Sequence, residues 1–484
     1  MTMWHTQGIA ELGRAMVDGR LSASELTQHF LDRIGALNHA GPALNAVREV
    51  NPQALDTARS LDDERRAGLV RGPLHGIPVL LKDNIATGDG MACTAGSLAL
   101  ADLRPRQDAE LVRRLRVAGA VILGKCNMTE FADYLGDVMP SEFSSAGGVV
   151  RHPYGKRYDR GGGSSVGPAC AVAAGLCAAA IGSETQNSIQ TPASQSGVVG
   201  LKPTVGLVSR TGVVPLAMSQ DTAGPLTRSV ADAALLLSAL AGVDLGDSLT
   251  LSAAPHIQAD YARFLDPHAL RGARIGVPRQ VYFGRPGQEA AEEIIEEAIA
   301  TLRAAGAIIV DPADVPTAQE VARLRSSVFA REFKVGLNAF LASQGDAAPV
   351  CTLADIIAFN AAHPGQCLAY GQALAENAER TNGLDDPAYH TDRLRDITLT
   401  RELGVDAVCR QYGLDALLTP GGVAAKLTGK AGYPAVTVPA GFADDGTPVG
   451  ISFIGPAFSE GRLLALAHAF EHARGELATI PDGL

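Results

Sequence analysis

Gly161-Gly162-Gly163-Ser164-Ser165-Val166-Gly167-Pro168-Ala169-Cys170-Ala171-Val172-Ala173-Ala174-Gly175, followed seven residues later by Gly182–Pro215 (GSETQNSIQTPASQSGVVGLKPTVGLVSRTGVVP), is the part of this sequence that decides its reading. From about residue 144 to 224 glycine, serine, threonine and proline occur at high density, with glycine-bounded loops, so chemistry is expected here. A glycine run ahead of a small-residue helix exposes backbone N–H groups and could cradle a phosphate. That reading is weak, because no Lys-Ser/Thr pair completes a P-loop and the spacing of a dinucleotide fingerprint is absent. The apolar run Val166 to Gly182 is short for a membrane span and reads as a tightly packed internal helix.

Upstream, a His-Gly turn leads into the apolar run Ile77 to Leu81, a short buried strand that ends at Lys82-Asp83-Asn84 and sets a charged residue at a strand end. Helix signals at Ala109 to Ala118 precede an apolar strand at Ala120 to Leu123. Nearer the N-terminus, Leu26, Phe30, Ile34 and Leu37 recur at helical spacing behind a Ser22/Glu25 capping box. Downstream, strands are expected at 273–277, 307–310, 416–418, 435–438 and 449–454. A Glu/Ala-rich helix separates the first two, interrupted helical sequence runs to Gln411, and a helix at 460–473 closes the chain. Helices and strands alternate at both ends with no Pro-, Ser- or charge-rich linker between. The reading is therefore α/β, one composite domain over 1–484, comprising a helical N-terminal segment (about 1–60), a core (about 70–240) and a C-terminal α/β part (about 265–475).

Six blocks in order resemble the amidase signature family: LHGIPVLLKDN, VILGKCNMTEFA, GGGSSVGPACAVAAG, the Gly182–Pro215 stretch, SQDTAGPLTRSVADAA and AGYPAVTVPAGF. The resemblance implies a single α/β/α domain whose mixed central sheet is enclosed by helices. It also implies a Ser-cisSer-Lys triad: Ser188 as nucleophile, Ser164 as proton relay with a cis peptide bond before it, and Lys82 as base. The oxyanion hole is expected from the backbone N–H groups of Thr185, Gln186, Asn187 and Ser188, with Ser165 and Arg210 as supporting or substrate-contacting residues. No metal or organic cofactor is implied. The turn departs from the family's common form, which has Asp and then two glycines directly before the serine, where this chain has Glu184, Gln186 and Asn187. If the turn requires a positive φ at Asn187, asparagine is among the better non-glycine choices.

These residue types suit the chemistry in their own right. An amide carbonyl is a poor electrophile, so its hydrolysis needs an activated hydroxyl, an oxyanion site and a proton for the departing amine. A neutral Lys82 could draw a proton from Ser164 while Ser164 draws one from Ser188, provided burial lowers its amine pKa from about 10.4. An isolated lysine is ordinarily a solvated charge and an isolated serine an ordinary cap; the combined context lifts these three above that reading. Asn127 and Glu130 read as structural, and Asp83 and Asn84 as strand-end caps.

Composition narrows the partners. With 41 basic and 52 acidic residues the net charge is −11, which argues against a nucleic-acid surface. Seven cysteines form no zinc pattern and read as reduced, mostly buried thiols, and eleven histidines include no HExxH motif. The N-terminus lacks a basic-then-apolar leader, so a cytoplasmic location off the membrane is expected. The expected reaction is cleavage of a C–N acyl bond through an acyl-enzyme, on a small aryl or alkyl amide, with esters and carbamates (a urethanase activity) within reach and a homodimer left open. The short glycine-rich link between Pro420 and Tyr433, carrying Lys426 and Lys430, suggests an open mouth. Two alternatives stand beside this reading: the glutaminase component of an amidotransferase, and an amidase-like binding protein with an impaired oxyanion turn.

Overall fold

The computed structural model describes residues 3–477, 480, 481 and 484. Among the described residues thirteen strands form: β1 (Val47–Val50), β2 (Pro78–Lys82), β3 (Val121–Cys126), β4 (Phe143–Ser144), β5 (Gly148–Val149), β6 (Ala179–Glu184), β7 (Val199–Lys202), β8 (Thr222–Thr227), β9 (Arg274–Gly276), β10 (Ile308–Val310), β11 (Ala416–Pro420), β12 (Ala435–Phe442) and β13 (Pro448–Ile454). Eleven of them make one mixed sheet in the order β1-β3-β2-β6-β8-β7-β12-β13-β11-β9-β10, with β4 and β5 as a separate hairpin. Helices enclose the sheet, as the family resemblance implies.

β2 explains why its sequence is apolar on every residue up to its last. It lies parallel between β3 and β6, so both faces are covered and alternation is lost. That last residue, Lys82, is therefore delivered into the interior with no exposed surface. The N-terminal capping box forms as the sequence leads one to expect, with Ser22 Oγ accepting from Glu25 N–H and Glu25 Oε2 accepting from Ser22 N–H.

The run that reads as one internal helix divides in two. The helix spans only Val166–Ala173, a left-handed turn follows at Gly175, and β6 begins at Ala179. Alanine, glycine and cysteine carry no periodic polarity here, and every residue from Val166 to Gly182 is buried, so neither face is marked. The small side chains have a packing reason: a Cβ on Gly167 would lie 2.8 Å from the Ala46 carbonyl oxygen.

The sheet's two halves join where β12 runs antiparallel to β7, pairing Thr437 with Gly200 and Ala435 with Lys202. Between β10 and β11 the chain is helical, and these helices build a second apolar cluster. In it Phe333, Leu337 and Leu341 pack with Ala95, Phe131 and Val214. No helix among the described residues is long and apolar enough to cross a membrane.

Candidate active site

Lys82 meets Ser164 at the end of β2. Its Nζ lies 2.7 Å from Ser164 Oγ and 3.0 Å from both the carbonyl oxygen and the Oγ of Ser183. Burial pushes the amine down to about 7, against the opposing influence of Glu184 and Asp221. The Ser164 hydroxyl and the hydroxyl and carbonyl of Ser183 are thus the three hydrogen-bond partners of this amine. Ser183 is a site residue that the sequence reading does not single out, although it stands in the same block. Its hydroxyl also accepts from Asn84 Nδ2 at 2.9 Å, which fixes the rotamer that Lys82 uses. Asp83 turns the other way, to Arg48 Nε at 2.7 Å.

Ser164 follows a cis peptide bond from Gly163, as the resemblance implies. The glycine has no room for a side chain, since a Cβ would lie 3.0 Å from the Ser141 carbonyl oxygen. Ser165 joins the two serine segments: its N–H donates to Ser188 O at 3.1 Å, and its Oγ donates to Ser183 O at 3.1 Å. Lys82, Ser164 and Ser188 are thus brought to one place, all buried, by β2, the glycine loop and the turn after β6.

The Glu184 carboxylate shapes that last turn. It accepts the N–H groups of Ile189 and Gln190 at 2.6 and 2.9 Å, which start the helix beyond Ser188. Among the described residues, the backbone N–H groups of Gln186, Asn187 and Ser188 donate to no protein acceptor. Thr185 Oγ1 donates to Asp221 Oδ1 at 2.6 Å, and Gln186 Nε2 to Gln220 Oε1 at 3.2 Å. Asn187 is not in the left-handed region, so backbone freedom is not what asparagine supplies there. Its Nδ2 instead donates to the carbonyl of Gly161, tying the 185–188 turn to the glycine loop.

Two further expectations meet a different setting. Arg210 is locked in a two-pronged pair with Asp247, Nε to Oδ2 at 2.7 Å, and also donates to Met218 O. The Pro420–Tyr433 link is not an open mouth. Ala425–Ala431 is a helix, and Lys430 is buried, with its Nζ 2.6 Å from Asp396 Oδ2. Gly429 of that helix presses on the 185–188 turn, where a Cβ would stand 2.8 Å from Gln186 Cα.

The amidase family model matches residues 25–430. The chain belongs to the amidase signature family. This amidase resembles a peptide amidase from Stenotrophomonas maltophilia, with 46% identity, a TM-score of 0.90 and coverage of 96% of each chain. It is 38% identical to a probable amidase of Arabidopsis thaliana over 96% of this chain and 89% of the relative. A glutamyl-tRNA(Gln) amidotransferase component from Halorhodospira halophila is 41% identical, over 63% of this chain and 60% of the relative. Family membership makes the amidase a carbon–nitrogen hydrolase by kind.

Proposed function

We propose that this amidase hydrolyses carboxamides through an acyl-enzyme on Ser188. The observation that carries the reading is the buried Lys82 amine, held near 7 and hydrogen-bonded to Ser164. Ser188 Oγ attacks the carbonyl carbon, its proton passes to Ser164, and the Ser164 proton passes to Lys82. The carbonyl oxygen takes up the electron pair and is received by the N–H groups of the turn at Thr185–Ser188. Collapse breaks the C–N bond, and the relay run in reverse gives the amine its proton. Water then attacks the ester by the same route, releasing the acid and restoring Ser188.

The likeness to a peptide amidase favours the amide of a peptide-like acyl group, with aryl amides, esters and carbamates as further substrates of the same carbonyl chemistry. The amidotransferase reading has less support, because over the same 96% of this chain a solved amidotransferase component is 29% identical with a TM-score of 0.69, against 46% and 0.90 for the peptide amidase. Unpaired cysteines, buried at six of seven positions, favour a reducing compartment such as the cytoplasm.

The deciding experiment is intact-protein mass after exposure to a small fluorophosphonate, with peptide mapping, in wild type and Ser188→Ala. One adduct on Ser188, lost in the variant together with release of amine from model amides, is expected. An adduct elsewhere, or unchanged turnover by Ser188→Ala, would overturn the assignment.

A further inference from the structure

The nucleophile turn is gripped from two sides, and one side chain outside the triad spans both grips. Arg393, on the Pro387–Thr400 helix, donates from Nη1 to Lys430 O at 3.0 Å and from Nη2 to Ser219 O at 3.2 Å. Lys430 O belongs to the last turn of the Ala425–Ala431 helix, where carbonyls lack intrahelical donors. Arg401 Nε takes the next one, Ala431 O, at 2.6 Å. One residue before Lys430 is Gly429, packed on Thr185 and Gln186.

On the other side, Ser219 directly precedes the two residues that hold the turn's side chains, Gln220 on Gln186 and Asp221 on Thr185. The surroundings fix the guanidinium. Ser219 N–H and Tyr389 O–H both donate to Glu332, each at 2.8 Å, and Lys430 pairs with Asp396. The charges around Arg393 are thus Glu332 and Asp396 against Lys430 and Arg401. A planar fork suits two carbonyls at fixed separation, which an ammonium presents as a single point.

We propose that Arg393 is a positioning residue for the oxyanion-binding turn, setting the N–H groups of Gln186 to Ser188 by holding the 425–431 helix and the 216–221 loop together against it. The inference rests on the reading of that turn as the oxyanion site. A misplacement of about 1 Å at such a site can cost on the order of a hundredfold in rate, and removing one oxyanion donor costs about as much. The effect therefore belongs in kcat rather than in KM.

The test compares wild type, Arg393→Ala and Arg393→Lys. Rates on one amide are normalised to fluorophosphonate-titratable Ser188, and melting temperature is followed in parallel. We expect kcat per titrated site to fall about ten- to a hundredfold with KM within about threefold of wild type. Lysine should fail to restore the rate, and millimolar methylguanidinium should partly restore it in Arg393→Ala alone. If Arg393→Ala does not fold, Arg393→Lys, which keeps the charge, carries the same comparison. Variants that melt earlier yet keep kcat per titrated site within about twofold of wild type would overturn the positioning role. A wild type that neither labels at Ser188 nor releases amine would overturn the hydrolase reading itself, a result distinct from the last.

Discussion

A β-carbon on Gly429 would stand 2.5 Å from the carbonyl oxygen of Thr185, closer than two such atoms can approach. Glycine is needed there for space rather than for backbone freedom. Gly429→Ala should force the helix and the nucleophile turn apart and lower kcat on the order of a hundredfold, with a smaller change in KM. Steady-state kinetics on a model amide, together with the rate of Ser188 labelling, check this. Labelling should slow along with turnover, because both require the same oxyanion donors.

In the proposed mechanism Lys82 acts as a base only when neutral, so activity should rise with pH through about 7 and then level off. The linkage to stability runs in the same direction. Because burial lowers the folded-state value below that of an unfolded lysine, the unfolded chain binds the extra proton between about 7 and the ordinary lysine range. Wild type therefore gains stability across that window, while the full penalty of burying the charge is present below it. Lys82→Met should lose at least about a thousandfold in kcat and should lack that pH-dependent gain. A kcat–pH profile and thermal melts of both proteins from about pH 6 to about pH 10 measure the two effects.

Asn187→Gly would restore the family's common residue, yet a loss is expected rather than a gain. The Asn187 backbone needs no glycine, and the substitution removes the side-chain hydrogen bond to Gly161. Stability should drop by about 1 kcal/mol from the lost bond and by a further fraction from the added freedom of the unfolded chain. The rate should fall several-fold as the turn and the glycine loop come apart. Denaturant unfolding and amide turnover, measured side by side, test this; a faster enzyme of equal stability would contradict it.

The three candidate residues are read from the sequence through the resemblance to the amidase signature family, and local pattern adds to it: Lys82 ends an uninterrupted apolar run and Ser164 closes a glycine run. Ser183 is not legible, because nothing local shows that both its hydroxyl and its carbonyl face Lys82. The segment from Val166 to Gly182 contains no charged or amide residue to set a period, so helix and strand cannot be told apart in it. Lys430 reads as part of an open mouth because its partner, Asp396, lies on a different helix, and only tertiary packing brings the two together. Arg393 is invisible for the same reason: both of its acceptors are backbone carbonyls, which carry no sequence identity.

The helix at 425–431 lies late in the chain, between two strands of the distal half of the sheet, yet it is the surface against which the nucleophile turn is moulded. A nascent polypeptide that has already made Lys82, Ser164 and Ser188 still lacks that mould until β11 to β13 have been synthesised and have docked beside β7. On the proposed mechanism, amide cleavage is thereby tied to completion of the whole sheet. A fragment truncated ahead of Ala425 would carry Lys82, Ser164 and Ser188 and yet lack the surface that shapes the 185–188 turn.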